Sequence, residues 1–162
     1  MTISFLRRSW GADAPVAVAL IRWMTGGVFL GEGILKFLHP EEFGTGRFAR
    51  IGIPAPEFFS PFVGGVECVC GALLIFGLFT RLAAIPLLVN ISVAILSTKI
   101  PVLFGHGFWG FALMKLPRYD FLSMFHEART DLSMWLGLLF LLITGPGRWS
   151  LDAWLTRGNR YG

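Results

Sequence analysis

The 162-residue chain is 54% apolar and only 15% charged, with a mean hydropathy of +0.65, so it has too little polar surface to coat a water-facing globule of its size. Its fourteen Lys and Arg residues give a net charge of +4, yet they are scattered singly or in pairs between apolar runs. That pattern excludes the basic stripe of a nucleic-acid binder and suits helix ends anchored among lipid headgroups.

The N-terminus opens with Arg7 and Arg8 as a signal peptide would, but the apolar run after it is long and has no small-residue cleavage pattern. It reads as a retained first span over residues 14–37. Pro15 suits a first helical turn, and Lys36, His39 and Pro40 mark the exit. Residues 38–58 carry Pro40, Pro54, Pro56, Gly44, Gly46 and Gly52, which predicts an irregular surface connector. The second stretch, 59–79, contains one charge, Glu67. Thr80 and Arg81 then turn tightly into a third stretch, 82–100, so these two form an antiparallel hairpin. Pro86 falls in the first turn of the third helix, where it costs little, and Pro101 ends it.

Residues 101–126 mix Gly105, His106, Gly107, Gly110, Lys115, Pro117 and Arg118 with aromatic side chains. This segment is too broken to span and is expected to lie in the interface. The last apolar run, Thr130 to Thr144, is short for a crossing of about 20 residues and is lengthened backward to give a span over 127–144 if Arg129 snorkels. Gly145, Pro146 and Gly147 stop it, and Ser150 is placed to cap a short amphipathic tail helix over 150–156. The expected fold is an all-α membrane protein, a single domain over 1–162: an antiparallel four-helix transmembrane bundle with short interfacial helices. With both termini inside, Arg7, Arg8, Arg81, Arg148, Arg157 and Arg160 lie in the cytoplasm, and Arg47, Arg50, Lys99, Lys115, Arg118 and Arg129 lie opposite. The counts are equal, and the usual dominance of the first helix favours N-inside and C-inside.

Ionisable groups at membrane depth cost roughly 2.5–3.5 kcal/mol each on insertion scales, so each needs a partner or a purpose. Arg22, Glu32, Lys36, Glu67 and, near a helix start, Asp131 are the set. Glu32 and Lys36 are four apart with the acid first, the favourable order for a pair on one helix. Arg22 and Lys36 share a helix face, and Gly26 and Gly33 lie near that stripe. Gly27 and Gly31 form a GxxxG through which another helix could approach. Counting depth from opposite membrane sides, Arg22 and Glu67 come level enough to pair, with Lys36 as the alternative partner for Glu67. Such groups either hold helices in register or line a polar pocket or proton path.

His126, Glu127, Arg129 and Asp131 cluster at the start of the last helix. Thr130 or Asp131 can cap that helix there, and Arg129 can anchor in headgroups. In the four-span arrangement this cluster also opens on the same membrane side as Lys36 and Glu67, as a quinone head or proton relay would require. His39, His106 and His126 all fall in connectors, so no haem or metal site is assigned. Cys68 and Cys70 point about 200° apart on a helix and read as packing thiols. For Asp152, in the first turn of the tail helix, the helix dipole is explanation enough.

Several segments together resemble the DoxX family: Arg22 followed by GVFLGEGILKF, the connector Gly52-Ile53-Pro54, GGVECVCGALLIFGLFTR from Gly64 to Arg81, and TDLSMWLGLLFLLITGPGRWSLD from Thr130 to Asp152. The resemblance implies a four-helix fold in a bacterial or archaeal cytoplasmic membrane, with characteristic polar residues at Arg22, Lys36, Glu67, Arg81, Asp131 and Asp152. It also implies roles as a subunit of quinone-linked oxidoreductases or as a partner of sulfur-handling and detoxifying enzymes. The leading expectation is therefore a small membrane subunit in quinone-linked redox chemistry. Arg22, Lys36 and Glu67 would line the pocket and hold a quinone head, with Asp131 and His126 at its mouth. The alternative is a non-catalytic accessory subunit, surrounded by lipid and packed against other membrane subunits or copies of itself. A carrier would need internal repeats or broken helices, which are not visible.

Overall fold

The structure, a computed structural model, describes residues 15–158, and the stretches holding Arg7, Arg8 and Arg160 lie outside them. Among the described residues six helices follow one another: α1 (Val18–Leu38), α2 (Thr45–Ile51), α3 (Pro56–Phe76), α4 (Thr80–Phe104), α5 (Phe121–Thr144) and α6 (Leu151–Gly158). No strand occurs among the described residues beyond the isolated pairing of Phe108 with Phe111.

α1, α3 and α4 are long and apolar enough to cross a bilayer. Their outward side chains are apolar too: Leu20, Phe62, Val69, Leu82 and Val89 are all well exposed. A soluble protein does not leave such a surface to water, and a lipid-embedded one requires it. The chain is an integral membrane protein. α5 is as long, but Glu127, Arg129 and Asp131 occupy its first half and leave 132–144 as its uncharged part.

The ends of these helices have local causes. Gly77 takes the left-handed conformation with φ +67°. It closes α3 with paired bonds from Gly77 N to Leu74 O and from Leu78 N to Leu73 O, a Schellman-type stop three residues before the predicted end at 79. α4 does not end at Pro101 as its composition suggests. A wide π turn at Ile95–Lys99 precedes Pro101, which then occupies a helix-starting position and needs no N–H partner, so the helix continues to Phe104. α5 begins at Phe121, earlier than residue 127, because the Asp120 carboxylate accepts from Ser123 N at 2.7 Å. Asp131 is thus well inside α5 and caps nothing. The connector shrinks to 105–120. Within it Trp109 and Gly110, both at positive φ, form the tip of a tight turn that bonds back to Ile51 through Ala112 N at 3.0 Å. The first connector is also more regular than its Pro and Gly content implies, since it contains α2.

α1 and α3 run antiparallel in backbone contact. A Cβ on Gly26 would lie 2.7 Å from Gly71 O, and one on Gly33 would lie 2.8 Å from Gly64 O. These two glycine pairs set the register. Gly27 and Gly31, by contrast, meet nothing within 4 Å, so that GxxxG faces outward. α4 packs on α3 and α5, and α5 returns to touch α1, where Gly137 meets Thr25. Leu74, Leu87, Leu138 and Leu141 fill the space between them.

Candidate functional site

The α1/α3 register decides which buried charges meet. Lys36, one turn past Gly33 on α1, and Glu67, one turn past Gly64 on the antiparallel α3, stand on either side of the Gly33–Gly64 crossing, and their long side chains reach back over it to meet. Lys36 Nζ stands 2.7 Å from Glu67 Oε2 and 3.8 Å from Glu32. From α4, Asn90 Nδ2 donates to Glu67 Oε1 at 2.7 Å. Glu67 is only 4% exposed, so both carboxylate oxygens have lost water and both are compensated by one partner each.

A second pair lies across α4 and α5, where Lys99 Nζ is 3.3 Å from Asp131 Oδ2. On a regular helix nine residues place Lys99 on the face opposite Asn90. The π turn at Ile95–Lys99 underwinds the chain and carries Lys99 back toward the interior, where it is buried with Ser97 and Thr98. Lys99 falls inside the expected third stretch, 82–100, where charge counting puts it at the outer membrane side; the structure instead buries it against Asp131.

Between these pairs lies a cavity of about 250 Å³. Glu67, Lys36, Asn90, Ser97, Thr98 and Asp131 supply its polar groups, and Phe29, Phe48, Ile91 and Met134 its apolar walls. α2 covers one side through Arg47 and Phe48.

Arg22 does not join this group. The glycine register puts it opposite Gly77, about two turns from Glu67, so the expected Arg22–Glu67 pair does not form. Arg22 is 1% exposed. One guanidinium nitrogen donates to the Trp149 carbonyl, and the other two have no hydrogen-bond partner among the described residues. A Cβ on Gly77 would overlap Arg22 Nη1. Asp152, the nearby opposite charge, accepts from Phe79 N at 2.9 Å and Thr80 N at 3.1 Å, and its own N–H donates to Gly77 O at 3.0 Å. Asp152 therefore serves the start of α4 from the far end of the chain, a role that a dipole argument confined to its own helix misses. His126 is exposed, and its carbonyl accepts from Arg129. His39 and His106 are exposed as well. Cys68 and Cys70 are free thiols, and Cys68 packs against Gly33. Among the described residues no three of His, Cys, Asp and Glu gather where they could hold a metal.

Asn90 and Lys99 are the site residues that sequence reasoning missed. The signal for Asn90 is in the sequence: a lone carboxamide inside an apolar span is costly unless it finds a hydrogen-bond partner.

The segment that carries Lys36, Glu67, Asn90 and Lys99 is also the segment that matches a known family, since the DoxX family model covers residues 17–100, just over half of the chain. The chain belongs to the DoxX family. Uncharacterized membrane protein Rv3486 of Mycobacterium tuberculosis is 52% identical to it over 146 residues, 90% of this chain and 85% of that protein. "Putative oxidoreductase CatD" of Bacillus subtilis is 26% identical over 148 residues, 91% of this chain and 92% of that one. No solved structure matches this DoxX-family chain.

Proposed function

We propose that this protein is a small membrane subunit working in quinone-linked redox chemistry, with the cavity beside Glu67 as the seat of a quinone head. The observation that carries the reading is a carboxylate at membrane depth, held by Lys36 and Asn90 on the wall of a cavity. A purely structural ion pair needs no cavity beside it. The name of the Bacillus subtilis relative points the same way. The donor set fits the group, because Lys36 Nζ and Asn90 Nδ2 are N–H donors of the kind that bind a ring carbonyl, and Phe29 and Ile91 offer apolar ring contact. A bound quinone would supply the electron-accepting carbonyls, and electrons would come from a partner. Within the chain, Glu67 is the group that takes and returns protons, with Asp131 next along the cavity wall.

In the same reading α5 is the fourth crossing of an antiparallel bundle in a bacterial cytoplasmic membrane, with both termini inside. Of its three early charges, Asp131 is paired with Lys99 and Arg129 reaches outward. Replacing Glu67 by Gln abolishes quinone-dependent activity in membranes without lowering the amount of protein. Unchanged activity removes the reading.

A second reading, an accessory subunit packed on larger membrane proteins or on its own copies, is favoured by Gly27, Gly31 and Gly65. Nothing lies within 4 Å of where their Cβ atoms would stand, so a neighbouring helix can approach closely. Purification in mild detergent separates the two, since a lone chain that retains quinone contradicts the accessory role.

A further inference from the structure

The cavity is too small for a whole amphiphile. At about 250 Å³ it lies below the roughly 300–1,000 Å³ of pockets that enclose drug-sized ligands. It can hold a one- or two-ring head, and any chain attached to that head must lie outside.

Two stretches of its rim reach the outer surface, and they differ in chemistry. Between α1 and α5 the rim carries charge: Glu32, whose side chain is 44% exposed, Thr130 and Asp131 line it, with Val28 the exposed apolar residue beside them. Between α3 and α4 it is apolar: Phe59 is 40% exposed, Val93 is 45% exposed, and Val63 is half-buried beside them. α3 and α4 are joined at Gly77, and the Glu67–Asn90 bond ties them further along. Val63 is one turn beyond Glu67, and Val93 lies about one turn beyond Asn90, so both stand just past that tie. Both helices are apolar enough to span, so what surrounds this opening is acyl chain. An apolar chain leaving past Glu32 and Asp131 would strip water from ionised groups, whereas leaving past Val63 and Val93 it exchanges one hydrocarbon surface for another.

We infer that the ligand is a membrane-resident amphiphile with a compact polar head. It is loaded sideways from the bilayer, and its chain lies in a window between α3 and α4 framed by Phe59, Val63 and Val93. The polar rim at Glu32 and Asp131 is left free for water and protons. This rests on the reading of the cavity as a head-group site.

The test uses the full-length protein in lipid nanodiscs and two probes: an isoprenoid-tailed menaquinone carrying a photoreactive diazirine on its first isoprene unit, and menadione, the same ring without the tail. Menadione raises the thermal midpoint of the wild type but not of Glu67→Gln, and in excess it suppresses photolabelling. The suppressible label falls on peptides containing Phe59, Val63 or Val93. Val93→Trp narrows the preference for the tailed over the tail-less ring at least tenfold. If menadione stabilises the protein through Glu67 while the suppressible label falls on Val28 or Thr130, the window is wrong and the cavity reading stands. If menadione has no Glu67-dependent effect, the cavity reading itself fails and the window falls with it. An unaltered preference in Val93→Trp, with the variant folded, also overturns the window.

Discussion

The two ends of the helix packing treat buried charge in opposite ways. At the Gly77 end, Arg22 and Asp152 are engaged mainly by main-chain groups: the Trp149 carbonyl, the Phe79 and Thr80 amides, and the Gly77 carbonyl. At the other end Glu67 and Lys36 are engaged by side chains, and a cavity opens beside them. Main-chain partners cannot move without shifting the backbone that joins the helices, whereas side-chain partners can exchange one another for a ligand. The first arrangement locks the fold; the second leaves polar groups that can be recruited.

The sharpest way to break this contrast is Gly77→Ala. A methyl group there overlaps the Arg22 guanidinium and sits at a left-handed φ, which costs about 1–2 kcal/mol before any overlap. The expected loss exceeds about 4 kcal/mol, seen as failure to accumulate in membranes. Next comes Asp152→Ala, which removes two hydrogen bonds to a charged acceptor. A loss on the order of 3 kcal/mol in detergent unfolding is expected, with no change in menadione binding by whatever folded fraction remains. At the cavity end, Lys36→Met is expected to cost about 2 kcal/mol. That is less than a severed buried pair usually costs, because Asn90 still donates to Glu67. The double variant Lys36→Met with Glu67→Leu recovers at least half of that loss in the same unfolding experiment, while both variants lose menadione binding. If the double variant is less stable than the single, the cavity end is as much a lock as the Gly77 end.

The smallest effect lies outside both regions. The Ser123 amide bonded to the Asp120 carboxylate holds its pKa below the ordinary carboxylate value. A lowered pKa stabilises the folded state at pH values above the ordinary carboxylate range, and the contribution is lost as pH falls through the depressed value. The protection of the Ser123 and Met124 amides, measured relative to their intrinsic exchange rates at each pH, therefore falls at acid pH, and Asp120→Ala shows the low protection already at neutral pH.

Much of this was readable from local chemistry. Hydropathy depends on neighbours in sequence, so α1, α3 and the body of α4 fall close to their expected positions. Lys36 and Glu67 were conspicuous because charge is costly in lipid. The boundaries moved where a single residue altered the backbone: Gly77 shortened α3, the π turn let α4 pass Pro101, and Asp120 started α5 early. Depth counted from helix ends leaves Glu67 open to either Arg22 or Lys36, because it ignores register, which depends on Gly26 meeting Gly71 and Gly33 meeting Gly64.

Composition and periodicity alone determined that this chain lives in a membrane as helices and that a few costly side chains must be compensated there, because the transfer energy of each residue into lipid hardly depends on its distant neighbours. Only the tertiary structure decided which compensates which. Pairing Glu67 with Lys36 and Asn90, turning Lys99 inward, and bringing Asp152 back to the start of α4 all depend on helix register and phase, which are set by backbone contacts between segments far apart in the chain.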